Sequence, residues 1–276
     1  MTQTEKYLEW LKYGRNLSDN TIKSIKNDFE QFEGNLETAI RSDVEMFVIK
    51  QNKQGLSSAT VARRIASYKG FFEWQIQNDL RTGKNPTEWK VAPKIKNISH
   101  KPITQEELEE LYTKAPTKDL KAAIALMGYA GLRIGEVTNV GIKNMVFVDE
   151  NGEYAIHLKD TKGGKERKVS LGLLPDPEIV KNIAKNGGFK GQRGNLSENG
   201  MWRRIKKYFN KVGKGNITPH DLRATFGTML IENDVNVAVV RDMLGHTTLE
   251  GNEITSRYVG VASVEKQAQV LKGAFE

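Results

Sequence analysis

A proline-rich break in an otherwise helical pattern most constrains how this chain can fold. Residues 81–102 contain three prolines and a glycine without hydrophobic periodicity, so they predict an extended connection between two structured parts. We therefore expect a first domain over residues 1–90, a linker over 91–102 and a second domain over 103–276. The 276 residues of the chain are enough to form two cores of this size.

The first domain is expected to be entirely helical. Apolar residues recur at helical spacing behind Ser18, which has the residue type of a helix N-cap, and they predict a helix over 20–33. The same Leu-Ser-x-x-Thr phrase recurs at Leu56 and predicts the start of another helix. The polar face of that helix carries three cations, Arg63, Arg64 and Lys69.

The second domain is expected to combine helices with a small antiparallel sheet. Thr104-Gln-Glu-Glu107 has the pattern of a capping box, and an apolar helix over 118–130 should end at Gly131. Turn sequences separate three strand-like stretches, 144–148, 153–158 and 165–171. Further helices are predicted over 198–209, from the Thr218 cap with Pro219 in the first position, over 236–244 and over 263–275. The predicted fold class is therefore mainly α with a small antiparallel sheet.

The positive charge of the chain is unevenly distributed. The formal net charge is +8, and residues 51–100 and 151–276 each carry +6, whereas the remaining stretches are acidic. A concentration of cations is typical of phosphate binding, but a lysine-rich solvated surface gives the same sum. The charge alone leaves both interpretations open.

Several classes of function are excluded or disfavoured by what the sequence lacks. The chain has no cysteine, which excludes disulfides, thiolate metal sites and cysteine nucleophiles. Its four histidines are too scattered to predict a metal site, and no Walker loop or paired-carboxylate pattern occurs. The longest apolar run, 122–132, is too short to span a membrane, and the amino terminus does not have the pattern of a secretion signal.

Five separated fragments of the second domain carry residue types suited to phosphodiester chemistry. They are Gly131-Leu-Arg133-Ile-Gly-Glu136, Thr161-Lys162-Gly-Gly-Lys165-Glu-Arg167, His220-Asp-Leu-Arg223, Leu244-Gly-His246 and Tyr258. Cleaving a phosphodiester without metal or nucleotide requires fixed cations around the nonbridging oxygens, a nucleophile and a proton donor. Guanidinium groups match phosphate geometry, and a helix amino terminus, where His220 and Arg223 are predicted, favours an anion.

Each of these residues also has an ordinary structural explanation when it is considered alone. Arg133 suits a position after an apolar helix with its charge in solvent, and Glu136 either pairs with it one turn on or is solvated. Histidines near helix ends, such as His220 and His246, are often caps. Most turn lysines are solvated and most tyrosines are packed. Three neighbours on the same predicted hairpin compete with Lys162 for its role: Lys165, Arg167 and Lys168.

The order R…K…H-x-x-R…H…Y of these fragments resembles the tyrosine recombinase, or phage integrase, family. The layout is most similar to the short Xer-type members, and the resemblance runs from about Leu8 to the carboxy terminus. It implies a helical, SAM-like core-binding domain and a catalytic domain that form a C-shaped clamp on duplex DNA. It also implies DNA strand breakage and rejoining with no cofactor, neither metal nor ATP.

The resemblance assigns a role to each fragment. Tyr258 would attack the scissile phosphate to give a 3′-phosphotyrosine and a free 5′-hydroxyl. Lys162 would act as general acid with His220 assisting proton transfer, and Glu136 would support Arg133. Three residues would stabilise the charged transition state: Arg133, Arg223 and His246. Five further residues are expected to contact DNA: Arg63, Arg64, Lys69, Lys165 and Arg167.

The resemblance also implies partners and a cellular location. Four protomers would bring together two double-stranded recombination sites, with no membrane involved, in the cytoplasm at the nucleoid, and the protein could serve a mobile element. The 263–275 helix would dock on a neighbour or on its own domain, and the residues leave both open. One departure from the family pattern is a longer segment between His246 and Tyr258, where Glu250-Gly-Asn252 resembles a loop insertion.

Two alternative functions remain at this stage. A type IB topoisomerase-like relaxase would use the same residues without site specificity. A DNA-binding regulator on a recombinase scaffold would not cleave at all.

Overall fold

Two units divide the chain, Met1–Ile98 and Ser99–Glu276, each with its own hydrophobic core. The computed structural model describes residues 1–88, 93, 102–149, 152–159, 166–192, 194–245, 270, 271 and 273. The predicted linker, 91–102, therefore lies almost entirely outside the described residues. The predicted fold class is confirmed, because helices predominate and the strands form small antiparallel sheets.

The first unit is helical throughout its described length. Helix α1 spans Gln3–Glu9 and continues as a π-helical turn over Trp10–Gly14, and it is followed by α2 (Asp19–Phe29), α3 (Arg41–Lys53) and α4 (Ser58–Gln77). The predicted cap of α2 is present, since the Ser18 hydroxyl accepts a hydrogen bond from the backbone N–H of Thr21. Helix α2 is shorter than the predicted 20–33. The chain turns after Phe29, yet Phe32 still reaches the core, so the apolar periodicity continues beyond the helix itself.

Aromatic rings fill the core of the first unit. The Tyr68 ring of α4 meets the rings of Phe32 and Phe47 edge-on, with centroids 5.3 and 5.2 Å away. Such edge-to-face contacts add to the burial of apolar area. The buried Tyr68 hydroxyl donates to the backbone carbonyl of Asp28 at 2.8 Å, so one side chain fastens α2 and α3 to α4.

The second unit places seven helices and five strands within its described residues. The helices are α5 (Gln105–Thr113), α6 (Lys118–Gly128), α7 (Ile134–Thr138), α8 (Pro177–Lys185), α9 (Glu198–Lys211), α10 (Pro219–Glu232) and α11 (Val237–Leu244). Strands β1 (Met145–Val148), β2 (Tyr154–Leu158) and β3 (Arg167–Ser170) form an antiparallel sheet in that order, and β4 (Lys190–Gly191) pairs with β5 (Gly194–Asn195). The strands of the main sheet match the predicted stretches to within two residues, whereas α7 and the β4–β5 hairpin were not predicted.

The two helix starts that were predicted from the caps at Thr104 and Thr218 are confirmed. The Thr104 hydroxyl accepts from the backbone N–H of Glu107, whose carboxylate accepts from the backbone N–H of Thr104. Thr218 and Asp221 make the same reciprocal pair at α10, with Pro219 in the first helical position. These caps fix where α5 and α10 begin.

The end of the chain packs on its own unit where it is described. Leu271 is buried in a cluster formed by α10 and α11, which includes Phe226, Leu230 and Met243. Most of the predicted 263–275 helix lies outside the described residues. Docking on a neighbouring protomer therefore stays a prediction.

Candidate active site

One buried carboxylate, that of Glu136, joins three arginines in the second unit. Arg133 is the residue before α7, and Glu136 lies in the first turn of that helix. The backbone N–H of Arg133 donates to Glu136 Oε2 at 2.8 Å, and its Nη1 atom donates to Oε1 at 3.1 Å. The predicted i, i+3 pair is thus present, and Glu136 also caps the helix that presents Arg133.

Arg167 holds the same carboxylate from strand β3. Its Nη1 and Nη2 atoms donate to Glu136 Oε1 and Oε2 at 2.9 and 3.0 Å, which is a bidentate pair. The Nη1 atom of Arg223 lies 3.8 Å from Oε2. A single carboxylate is therefore surrounded by three guanidinium groups from three separate fragments of the chain.

The prediction that Arg167 contacts DNA is not supported by its position. Its side chain is 8% exposed, and its guanidinium fork is directed at Glu136 inside the unit. Side chains alternate along β3, so Arg167 shares the buried face with Val169 while Lys168 is exposed. That two-residue alternation was visible in the sequence and is the signal that would have placed Arg167 inside.

The three arginines also meet the carboxy-terminal end of α11. Arg167 Nε donates to the Met243 carbonyl at 3.2 Å, an Nη2 atom of Arg223 donates to the Leu244 carbonyl, and Arg133 Nη2 donates to the Gly245 carbonyl at 2.9 Å. The last carbonyls of a helix have no partner within the helix and carry partial negative charge. Each of these consecutive carbonyls receives one guanidinium here, immediately before His246.

The charges of this arginine cluster, defined as Arg133, Arg167 and Arg223 around Glu136, do not balance. Three cations against one carboxylate leave a formal surplus of two positive charges in a largely buried region. Burial, with a contribution from the neighbouring Arg133 cation, lowers the pKa of Arg223 to about 9. Burial alone would raise the pKa of Glu136, but hydrogen bonds and charge from Arg167 and Arg133 hold it below its usual value. An anion that reached this cluster would relieve the surplus charge.

Arg133 is the most accessible member of the cluster, with 24% of its side chain exposed, compared with 9% for Arg223. The Arg223 guanidinium is also fixed by a second carbonyl, because its Nη1 atom donates to the Gly131 carbonyl at 2.6 Å. Gly131 adopts φ +65°, and a β-carbon there would lie 2.5 Å from the Phe226 ring. Glycine is therefore required in Gly131-Leu-Arg133 for the turn that brings both arginines together.

His220 and Arg223 occupy the first turn of α10 as predicted, but at different depths. Arg223 is buried, whereas His220 is exposed at the second position of the helix. Asp221 lies between them and completes the cap, since its Oδ2 accepts from the Thr218 backbone N–H at 2.8 Å and from the hydroxyl at 2.7 Å. The cap thus fixes the direction in which this turn presents His220.

Four predicted site residues lie outside the described residues: Lys162, Lys165, His246 and Tyr258. Their neighbours in the chain are described. Lys162 and Lys165 belong to the connection between β2 and β3, which leads directly into Arg167, and His246 follows Gly245. The predicted roles of these four residues stay predictions.

The predicted DNA contacts of the first unit lie on α4 and have partners within that unit. Arg63 forms an ion pair with the buried Asp28 and donates to the Ser24 hydroxyl at 3.0 Å. Arg64 donates to the side-chain oxygen of Gln51, and the Lys69 ammonium lies 3.6 Å from Glu73. Contact of Arg63, Arg64 and Lys69 with DNA stays a prediction.

The part of the chain that the structure describes offers neither a metal-ligand cluster nor a membrane-spanning helix. Among the residues the structure describes, no group of three or more His, Asp or Glu side chains could hold a metal ion. Within the same residues, no helix combines the length and the apolar character that crossing a membrane requires.

Comparison with known families decides what kind of protein this is. The model of the phage integrase family matches residues 101–264, and that of the phage integrase N-terminal SAM-like domain matches residues 4–79. The chain belongs to the phage integrase family. It is a tyrosine recombinase of the Xer type, an enzyme of the class that cleaves and rejoins DNA in site-specific recombination. The resemblance found in the sequence is confirmed, and neither the relaxase nor the non-catalytic regulator is favoured.

Relatives of this recombinase match it over most of their length. Tyrosine recombinase XerC of Herpetosiphon aurantiacus is 29% identical over 282 residues, which cover 91% of this chain and 89% of the relative. Tyrosine recombinase XerD of Oceanobacillus iheyensis is also 29% identical, with 91% of each chain covered.

Solved structures show the same fold at lower identity. A lambda integrase dimer bound to a COC′ core site has a TM-score of 0.69 at 15% identity, covering 91% of this chain and 98% of the other. The Tn1549 transposon integrase in complex with transposon right end DNA has a TM-score of 0.61 at 21% identity, covering 100% and 99%.

Proposed function

We propose that this recombinase cleaves and rejoins duplex DNA at specific sites through a covalent bond between Tyr258 and a DNA 3′-phosphate. The observation that carries the proposal is the arginine cluster, in which three guanidinium groups surround one carboxylate and leave a formal surplus of two positive charges among these four residues. A phosphodiester bears one negative charge and nonbridging oxygens that match guanidinium geometry. The cluster is therefore suited to a phosphate whose charge increases in the transition state.

The proposed cleavage step balances without an external energy source. The Tyr258 hydroxyl oxygen attacks phosphorus and loses its proton, with His220 assisting, while the bond from phosphorus to the 5′ oxygen breaks. Lys162 gives a proton to that leaving oxygen as general acid. The phosphotyrosine bond preserves the energy of the broken phosphodiester, so attack by a 5′-hydroxyl of a partner strand reverses the step and rejoins the DNA.

Arg133, Arg223 and His246 would stabilise the phosphate during this reaction. Arg133 is the accessible guanidinium of the cluster, and Arg223 lies behind it with a pKa lowered to about 9. A bound phosphate supplies the negative charge that favours the protonated form of Arg223, so substrate binding and Arg223 protonation reinforce each other. His246 directly follows Gly245, whose carbonyl is fixed by Arg133.

The proposed partners are double-stranded recombination sites and further copies of this chain. One solved structure that shares the fold is a lambda integrase tetramer bound to a Holliday junction, with a TM-score of 0.67 at 14% identity. We propose an equivalent tetramer here, acting on DNA in the cytoplasm. Basic residues of both units, Arg63, Arg64, Lys69 and Lys165, would contact the phosphate backbone.

The decisive experiment traps the covalent intermediate on a nicked suicide substrate, from which the 5′-hydroxyl fragment is lost. Wild type should form a denaturant-resistant protein–DNA adduct, including in excess chelator, and Tyr258→Phe should bind the same DNA without forming it. Tyr13→Phe is the matched control, because it removes a hydroxyl from an exposed tyrosine of the first unit. An adduct formed by Tyr258→Phe would refute the nucleophile assignment, and a requirement for a divalent metal would refute the mechanism.

A further inference from the structure

Arg167 lies at the centre of the contacts that join the parts of the candidate active site. Each of its three guanidinium nitrogens donates within the protein, two to the carboxylate of Glu136 and one to the Met243 carbonyl. It is as deeply buried as Glu136, with 8% of each side chain exposed. A buried guanidinium is costly unless its donors are paired, and these contacts pair three of its five N–H donors, two of them with a carboxylate.

Glu136 connects Arg167 to Arg133, the most exposed arginine of the cluster. The carboxylate accepts from the Arg133 backbone N–H at 2.8 Å and from the Arg133 Nη1 atom at 3.1 Å. Arg167, in strand β3, donates to both oxygens of the same carboxylate. Without Arg167, Glu136 would keep its bonds to Arg133 but lose the partner that fixes the plane of its carboxylate. The direction of the Arg133 fork would then be less constrained.

The second contact of Arg167 reaches the helix end that precedes His246. Its Nε atom holds the Met243 carbonyl at 3.2 Å, next to the carbonyls of Leu244 and Gly245 that Arg223 and Arg133 hold. Strand β3, which begins at Arg167, also continues the connection that carries Lys162. One side chain thus links the chain segments of three proposed catalytic groups.

Gly245 gives independent support for a fixed position of this guanidinium. A β-carbon at Gly245 would lie 2.6 Å from Arg167 Nη1 and 2.8 Å from Cζ, and the residue adopts φ +60°. The glycine of Leu244-Gly-His246 is therefore needed for its backbone conformation and for the space that Arg167 occupies. The backbone at Gly245, immediately before the predicted catalytic histidine, thus packs against the Arg167 guanidinium.

We propose that Arg167 is a positioning residue for strand cleavage, which aligns Arg133 through Glu136 and the His246 segment through Met243 without touching DNA. This inference rests on the proposed function, since it assumes that Arg133 and His246 act on the scissile phosphate. Removing a positioning residue should slow the chemical step and leave DNA affinity nearly unchanged, because misplacement of reacting groups by even 1 Å costs rate steeply.

The test measures single-turnover adduct formation and DNA affinity for wild type, Arg167→Met and Arg167→Lys. We expect Arg167→Met to slow cleavage on the order of 100-fold at saturating DNA, with less than about a threefold change in affinity. Arg167→Lys keeps the charge but lacks the fork, so it should restore only part of the rate. Thermal unfolding verifies that each variant is folded, and Arg167→Lys decides the matter if Arg167→Met does not fold.

Arg204→Met is the matched control. Its guanidinium also donates to one carboxylate, that of Asp119 at 3.4 Å, and to one carbonyl, that of Lys190 at 2.8 Å, but it does not contact the arginine cluster. It should cleave within about threefold of wild type. If wild type forms no adduct, the proposed function fails. If wild type forms it and the folded Arg167 variants cleave at the wild-type rate, the positioning role is refuted and the proposed function stands.

A pH profile separates positioning from a general loss of structure. Among the described residues, the charged groups that face Glu136 are Arg133, Arg167 and Arg223. Glu198 of α9 lies beside Gly135, the residue before Glu136 in α7. Loss of the Arg167 cation should raise the pKa of Glu136, so in Arg167→Met the acid limb of the cleavage rate should move to higher pH. An equal fall in rate at every pH would contradict the proposal.

Discussion

At the scale of single residues, the arginine cluster carries a formal surplus of two positive charges among its four members, which an anionic ligand would offset. Arg223 is the residue that shows this most directly, because burial and the adjacent Arg133 lower its pKa to about 9. A bound phosphate anion should raise that pKa again. Phosphate binding and Arg223 protonation are therefore linked, and the linkage can be observed without any DNA.

Inorganic phosphate should stabilise the folded recombinase, and the stabilisation should disappear at alkaline pH. The binding form is protonated Arg223, so the effect is largest well below pH 9 and is lost as the pH rises through about 9. The measurement is the shift in Tm on adding phosphate at constant ionic strength, from pH 8 to 10, where inorganic phosphate is mainly the dianion throughout. Arg223→Gln should show a smaller shift that does not change over this range. A wild-type shift that is constant up to pH 10 would contradict the linkage.

The sequence predicted some residues of the site well and others poorly, for physical reasons. The Arg133–Glu136 pair depends on spacing within one helical turn, which sequence alone determines. The position of Arg167 depends on which face of β3 is buried and on a partner 31 residues away in the chain. The alternation with Val169 could have indicated the buried face, but the basic hairpin around Arg167 suggested a surface residue instead. The identity of the distant partner, Glu136, leaves no mark in local spacing.

At the scale of secondary-structure elements, the caps fix where a helix begins and therefore where the residues of its first turn lie. Helices α5 and α10 begin with the same reciprocal pair, Thr104 with Glu107 and Thr218 with Asp221. Only α10 carries proposed catalytic residues in its first turn. Removing each cap in turn therefore separates an effect on stability from an effect on cleavage.

Thr218→Ala and Thr104→Ala should both destabilise the protein but affect cleavage differently. Each loses a capping hydroxyl, which costs about 1 kcal/mol in the free energy of unfolding. Thr218→Ala should also slow cleavage on the order of 10-fold, because the turn that presents His220 and Arg223 loosens. Urea denaturation and single-turnover adduct formation measure the two effects. Similar cleavage rates for the two variants would show that the α10 cap serves stability alone.

Elements with strong local signals were predicted, and those without them were missed. Helix α5 was found because a capping box marks its start, α10 because Thr218 and Pro219 mark its start, and the main sheet because turn residues separate its strands. Helix α7 has five residues, too few to show periodicity, and the β4–β5 hairpin pairs only two residues on each side. Tertiary packing, which no local pattern reports, stabilises such short elements.

At the scale of the whole molecule, the charge distribution is the property most relevant to DNA binding. Residues 51–100 and 151–276 hold the positive surplus, and 101–150 is acidic overall. Partners within the protein already neutralise part of that surplus, as Asp28 does for Arg63. The number of phosphates contacted should therefore be smaller than the number of cations in the basic stretches.

Salt titration of DNA affinity tests this interpretation. The logarithm of the association constant should fall linearly with the logarithm of salt concentration, by about 0.9 per phosphate contacted. Arg63→Gln should weaken binding to all sequences and reduce the slope by up to about 1. Lys114→Gln is the control, because Lys114 lies in the acidic stretch and pairs with Glu110 at 2.6 Å, and it should leave the slope unchanged. Equal slopes for Arg63→Gln and wild type would remove Arg63 from the DNA interface, and a flat wild-type response would refute an electrostatic role for the basic stretches.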